Sequence, residues 1–375
     1  MISNLKYKWL VFSLLFVVSV PWIVDAIDLK EPHPLHGEST RLAAPEFSLK
    51  SIWSGEFQDG IDEYFRTNFL LRGMAIRTRN QIDYSLFHLS HARSVVEGRD
   101  GYLFEENYIL AALGLDSILT DSIVKRADRI CDLSVNTGVP VLMVLAPGKG
   151  SYYREYLPLE YTSREGRKRD RLYEVWTEEL SERAECVEVL DLHKYFENIS
   201  EVFPKNGIHW SKWAQVEAIN LMVDKLGEIL SDSLEAAHLI IDESYRSTVM
   251  EGTDEDIEQG LNLWQNLEDF EATYYQTHWD SVPSISRPKV LLIGDSYAWG
   301  PVNMGLLRDG FRDSEFWFYN AGVHGPLIED KGASPMAIHG FTTRSEFEKT
   351  VAEFDAVILL STDANLPRFP FKFAN

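Results

Sequence analysis

Cysteine is scarce. The 375-residue chain has only Cys131 and Cys186 and no CxxC motif, which excludes a disulfide framework. A single bridge is open to the pair, but two buried free thiols are the expectation. Basic residues are also under-represented, 36 against 58 acidic ones, for a net charge of −22. That balance argues against nucleic acid, since a phosphate-binding protein needs a basic face. A polyanionic substrate would need only a local basic groove. The ten histidines include no HxH or HExxH spacing, so no metal site is expected. No Gly-rich phosphate-cradling loop occurs either, so no cofactor is expected. Long apolar runs are limited to Trp9–Val24, which at 16 residues is short of the ~20 that a spanning helix needs.

That run is preceded by Lys6 and Lys8 and followed by Val24-Asp25-Ala26, a poor cleavage site. Residues 1–26 therefore read as a signal anchor or signal peptide, with the positive-inside rule placing the remainder outside the cytoplasm. Residues 27–53 carry Pro32, Pro34 and Pro45 and read as a linker. Residues 54–375 read as one domain, with a helical lead-in over 54–94 and an acidic, irregular insertion over 232–286. In the lead-in, Phe57, Ile61, Tyr64 and Phe65 make one apolar face. In the insertion, Trp264, Phe270, Tyr274, Tyr275 and Trp279 argue against plain disorder.

Apolar runs at Val139–Leu145, Val187–Leu192, Val290–Ile293, Phe316–Tyr319 and Ala356–Leu360 predict strands. Helical patterns at Leu115–Thr137, Ser163–Ala184 and Ser211–Ser231 alternate with them. Val95–Phe104 reads as a hairpin. The fold class is α/β, three layers around a mostly parallel sheet.

The chemistry centres on Lys289–Gly300, KVLLIGDSYAWG. A strand ending in Gly294 holds Ser296 above the sheet edge, where open α/β sheets bind ligands. Ser296 is a candidate nucleophile. In Phe203–Trp213, FPKNGIHWSKW, His209 is a candidate base. Asn320, after the next strand, is a candidate oxyanion donor, along with the Ser296 N–H. Lys149 follows another strand and could meet an anionic group.

Several stretches together resemble the alginate O-acetyltransferase J/X-type proteins, also called the DHHW family. They are Ser54–Phe65 (SGEFQDGIDEYF), Glu97–Phe104 (EGRDGYLF), Val144–Pro158 (VLAPGKGSYYREYLP), Ile208-His209-Trp210 and Gly294-Asp295-Ser296. The resemblance runs from about residue 54 to the C-terminus. It implies an SGNH-hydrolase-like fold with the motif order permuted, His before Ser, and an extracytoplasmic enzyme at the inner membrane or cell surface. That enzyme would move acetyl groups onto an exported polysaccharide through acetyl-Ser296, with His209 as activator. A membrane-bound O-acyltransferase partner would supply the acetyl group.

One position departs from the pattern. The family's motif is Asp-x-His-Trp, and here the Asp position is Gly207. Three explanations stand open. Either a backbone carbonyl orients His209, or Asp191, Asp295 or Asp363 serves as third member, or catalysis is lost and polysaccharide binding kept. An acetylesterase of the same fold is the enzymatic alternative, because its chemistry is identical up to the acetyl-enzyme.

Overall fold

The computed structural model describes residues 8–16, 19, 23, 35–37, 42–68, 72–116, 120–163, 171–268, 270–325, 337–338 and 343–371. The expected anchor at Trp9–Val24 lies only partly within them. Residues 8–16 are helical, and among the described residues no helix is long and apolar enough to cross a membrane.

The chain divides into two compact units, Met1–Arg93 with Glu258–Leu267, and Ser94–Ile257 with Glu268–Asn375. The first contains the helices Leu49–Ser54, Glu56–Asn68 and Arg72–Phe87. Ser48 caps the first of these, exchanging hydrogen bonds with Ser51, which satisfies orphan N–H groups at the helix start. Within the same unit, Arg77 and Asn80 donate to the carbonyls of Leu263 and Leu261, both at 2.8 Å.

The second unit is built on a sheet. Its strands are β1 (Val95–Glu97), β2 (Leu103–Glu105), β3 (Val141–Ala146), β4 (Glu188–Asp191), β5 (Leu239–Ser247), β6 (Ala272–Trp279), β7 (Val290–Gly294), β8 (Glu315–Phe318), β9 (Gly322–His324), β10 (Ala337–Ile338) and β11 (Ala356–Thr362). Among the described residues the central sheet has the order β10-β9-β8-β7-β11-β3-β4. β8, β7, β11, β3 and β4 run parallel, with β9 and β10 antiparallel at one edge. β3, β7 and β11 are buried at every residue, as expected for parallel strands covered on both faces. Alternate residues Met143, Leu145, Leu291, Ile293, Val357 and Leu359 pack with Trp176, Trp317 and Phe347 on one side. The helix Lys212–Ile229 packs against β3 and β4. All five parallel strands end at the same edge, so the loops after them converge there.

Two expectations are corrected. The stretch 232–286 is not irregular: β5 and β6 pair as a long antiparallel ribbon with a bulge between Ile241 and Glu243. Most of β5 faces solvent, so it lacks the apolar alternation that marks a half-buried strand. Cys131 and Cys186 are not free thiols but form a disulfide, with Cα atoms 5.2 Å apart. Cys131 lies in the helix Thr120–Thr137, and Cys186 in the turn before β4. The expected charged helix at Ser163–Ala184 is seen as Leu172–Ser181; residues 164–170 lie outside the described ones.

The bridge closes a loop with a sequence separation of 55. Chain entropy assigns such a crosslink about 4 kcal/mol. Reduction, or replacement of both cysteines by serine, is expected to lower the denaturant-extrapolated unfolding free energy by about that amount. Unchanged stability under reductant would show that the bridge does not constrain the unfolded chain.

Candidate active site

Ser296 leaves β7 at the sheet edge. The turn that carries it is held by Asp295, which is fully buried. One Asp295 oxygen accepts from the Tyr297 N–H at 3.0 Å. The other accepts from the Thr362 N–H (2.8 Å), the Thr362 hydroxyl (2.7 Å) and the Asn365 amide (2.7 Å). Asp295 therefore ties the serine turn to the end of β11. Burial pushes its carboxyl up, and these four hydrogen bonds pull the other way. Tyr297 is buried too, and its hydroxyl donates to the Ile208 carbonyl at 2.7 Å. One hydrogen bond thus joins the serine turn to the histidine loop.

The histidine loop, residues 205–210, has no regular structure, so its buried carbonyls need side-chain donors. Lys149 provides two of them, donating to Lys205 O and Gly207 O, both at 2.7 Å. Gln215 donates to Trp210 O at 2.8 Å. Lys149 is wholly buried. Burial holds its amine well below the ordinary range, and Asp256 and Asp254 partly offset that. It is a brace for the loop, not a contact offered to an anionic substrate.

The carboxylate on His209 is Asp256. Its Oδ2 lies 2.5 Å from His209 Nδ1, and its Oδ1 accepts the Ile208 N–H at 2.9 Å. A proton on Nδ1, facing the carboxylate, leaves Nε2 as the acceptor nitrogen. Nε2 is buried and makes no hydrogen bond among the described residues. His209 and Ser296 line one cavity of 310 Å³, together with Lys212, Glu251, Asp254 and Trp299. Glu105 lies nearby: burial and the charge of Asp256 push its carboxyl up, and His209 pulls it down.

Gly207 explains why the acid comes from here. A Cβ on residue 207 would lie 2.4 Å from the Thr253 carbonyl oxygen and 2.8 Å from that of Asp254. The segment that brings in Asp256 therefore passes through the space a side chain at 207 would need.

The three carboxylates read from sequence as possible third members sit elsewhere. Asp295 is occupied as described. Asp191 accepts from the Tyr173 hydroxyl at 2.8 Å and caps the helix Leu192–Phe196. Asp363 lies 2.6 Å from His193 Nε2 and accepts the Gly148 N–H at 3.1 Å. Burial pushes the Asp363 carboxyl up, but the nearby His193 and the Gly148 N–H outweigh it and hold the carboxyl below the usual range. Asn320 is buried after β8, and it is not among the residues lining the cavity. Burial and the charge of Asp295 push the phenol of its neighbour Tyr319 up, and Arg368, Ser296 and Asn365 pull it down. Tyr319 and Asn320 both have left-handed backbones, φ 50° and 49°, a conformation that costs energy for residues other than glycine and recurs at functional sites.

Residues 95–309 match the family model described as the SGNH hydrolase-like domain of the acetyltransferase AlgX. The match spans more than half of the chain. The chain belongs to this family. It is an O-acetyltransferase on an SGNH hydrolase-like fold, and the sequence resemblance agrees with that membership. Among solved structures, the chain is similar to the O-acetyltransferase domain of Pseudomonas putida AlgJ (17% identity, 73% of this chain and 92% of that one, TM-score 0.44). It is also similar to Bacillus cereus PatB1 with a sulfonyl adduct (13%, 75% and 100%, TM-score 0.49). A third is Pseudomonas aeruginosa AlgX (13%, 76% and 70%, TM-score 0.44). A search of curated proteins finds no match.

Asp254 has a measurable consequence. Burial pushes its carboxyl from the ordinary 3.8 up to about 6. Between those values the folded chain keeps a proton that the unfolded chain has released, so this group's contribution to stability falls as pH rises through that window. Asp254→Asn is expected to leave the melting temperature near wild type at pH 4 and to raise it by about 5 °C at pH 8. Thermal scans across that range test this; a gap independent of pH would contradict it.

Proposed function

We propose that this enzyme acetylates an extracytoplasmic polysaccharide through an acetyl-Ser296 intermediate. Ser296 Oγ attacks the acetyl carbonyl while His209 Nε2 takes the hydroxyl proton. The proton then goes to the departing group, and acetyl-Ser296 remains. In the second half, His209 takes the proton of an acceptor hydroxyl, whose oxygen attacks the acetyl carbonyl. Ser296 leaves and recovers its proton from His209. Asp256 holds the imidazole in the required tautomer and stabilises its charged form. The Ser296 N–H, at the start of its turn, is the proposed oxyanion donor.

The observation that carries this reading is the Asp256–His209 contact, with Nε2 buried and unpartnered among the described residues and with His209 lining a cavity that Ser296 also lines. It speaks against a purely binding subunit, because the case for that reading was the carboxylate missing at Gly207. The disulfide supports an oxidising compartment outside the cytoplasm, in keeping with an N-terminal export segment as membrane anchor. The acetyl donor we propose is a membrane-bound O-acyltransferase.

The test is intact-mass spectrometry after incubation with p-nitrophenyl acetate. One acetyl group is expected, mapped to Ser296 and absent in Ser296→Ala. Asp256→Asn is expected to slow its appearance by about 10³-fold or more. Labelling at another residue, or an Asp256→Asn rate equal to wild type, would contradict the mechanism.

A further inference from the structure

Beside the catalytic cavity lies a second space, a cleft of 190 Å³. The two adjoin along one stretch of chain. Ser211 and Trp213 line the cleft; His209, Trp210 and Lys212 line the cavity; Asp254 lines both. The cleft wall is unusually aromatic, with Tyr102, Tyr153, Phe203, Trp213 and Phe270. Two of these rings are fixed in place. Tyr102 stacks on Tyr156 with centroids 4.0 Å apart, and the Tyr153 hydroxyl donates to Phe203 O at 3.1 Å. Fixed rings bind without paying to be ordered. Flat apolar faces with hydroxyls beside them, here Ser211 and Thr273, suit a sugar ring, which has C–H faces and a polar rim.

The charges narrow the ligand further. Glu201, Glu271, Asp254 and Glu251 line the two spaces, against Lys205 and Lys212. Lys205 lies 3.7 Å from Glu268. Arg246 is engaged by Glu201 at 3.1 Å and Glu271 at 2.7 Å. A polymer of uronic acids would bring a carboxylate on each sugar to a wall already rich in that sign, and like charges across an interface exclude a partner. The chain's net charge of −22 adds a repulsive field at longer range.

We infer that the acceptor is a glycan whose sugars carry no carboxylate, neutral or amino sugars, seated in this aromatic cleft, which shares Asp254 with the cavity that Ser296 lines. The inference rests on the function proposed above.

The experiment titrates the full chain carrying Ser296→Ala with three oligosaccharide series of matched length: cello-oligosaccharides, glucosamine oligomers and mannuronate oligomers. Binding of the glucosamine or cello series is expected, with mannuronate at least tenfold weaker. Trp213→Ala, and independently Phe270→Ala, each checked for an unchanged melting temperature, are expected to weaken that binding by about tenfold. Mannuronate bound as tightly as the others would overturn the inference. So would binding of none of the three, or undiminished binding by both folded variants. The acetyl-enzyme assay uses no glycan, so its failure would remove the proposed function separately from this result.

Discussion

The hydrogen bond between Asp256 and His209 is the contact on which the site depends. Both oxygens of one carboxylate are used, one on the imidazole and one on the backbone N–H of the preceding residue. The ring is therefore fixed in orientation and in tautomer together. The acid comes from 47 residues along the chain, not from the loop that carries the histidine. That relocation is compatible with Gly207 and not with a larger residue, because the incoming backbone fills the space beside it. The glycine at 207 and the acid at 256 are structurally linked, since the 253–254 backbone passes where a side chain at 207 would lie.

Around this contact, buried charges serve as ties. Lys149 holds two carbonyls of the histidine loop, and Asp295 holds the end of β11 to the serine turn. Charged groups buried this completely cost free energy unless fully hydrogen-bonded; Asp295 has two backbone N–H groups and two side chains around the serine turn and the end of β11, and Lys149 has two carbonyls of an irregular loop. Such loops have no ladder of their own to satisfy their carbonyls and N–H groups. The charged side chains supply what secondary structure would otherwise supply, and so hold in place the two loops whose serine and histidine line one cavity.

Much of this was legible in the residues. The parallel strands announce themselves as apolar runs, because both faces of the sheet are covered. Ser296 and His209 stand at recognisable breaks between periods. Asp256 gave no such signal. It is one of five acids in Glu251–Glu258, and nothing in the local sequence distinguishes it from the other four; only the long-range contact does. The β5–β6 ribbon hid for a related reason, since an exposed strand has no apolar face to show. Asp191 and Asp363 do lie at strand ends, as read, but strand-end position alone does not decide which carboxylate meets the imidazole. Tyr319 adopts a left-handed backbone that its side chain does not advertise, whereas Asn320 beside it is of a type that tolerates one.

The most direct test is proton NMR of the full chain with 15N-labelled histidine. The Nδ1–H resonance of His209 is identified by its loss in His209→Gln. A hydrogen-bonded proton far downfield of the amide envelope is expected, retained in Asp191→Asn and Asp363→Asn and lost in Asp256→Asn. A His209 signal unaffected by Asp256→Asn, or abolished by Asp363→Asn instead, would contradict the assignment of Asp256 as the residue that orients the base.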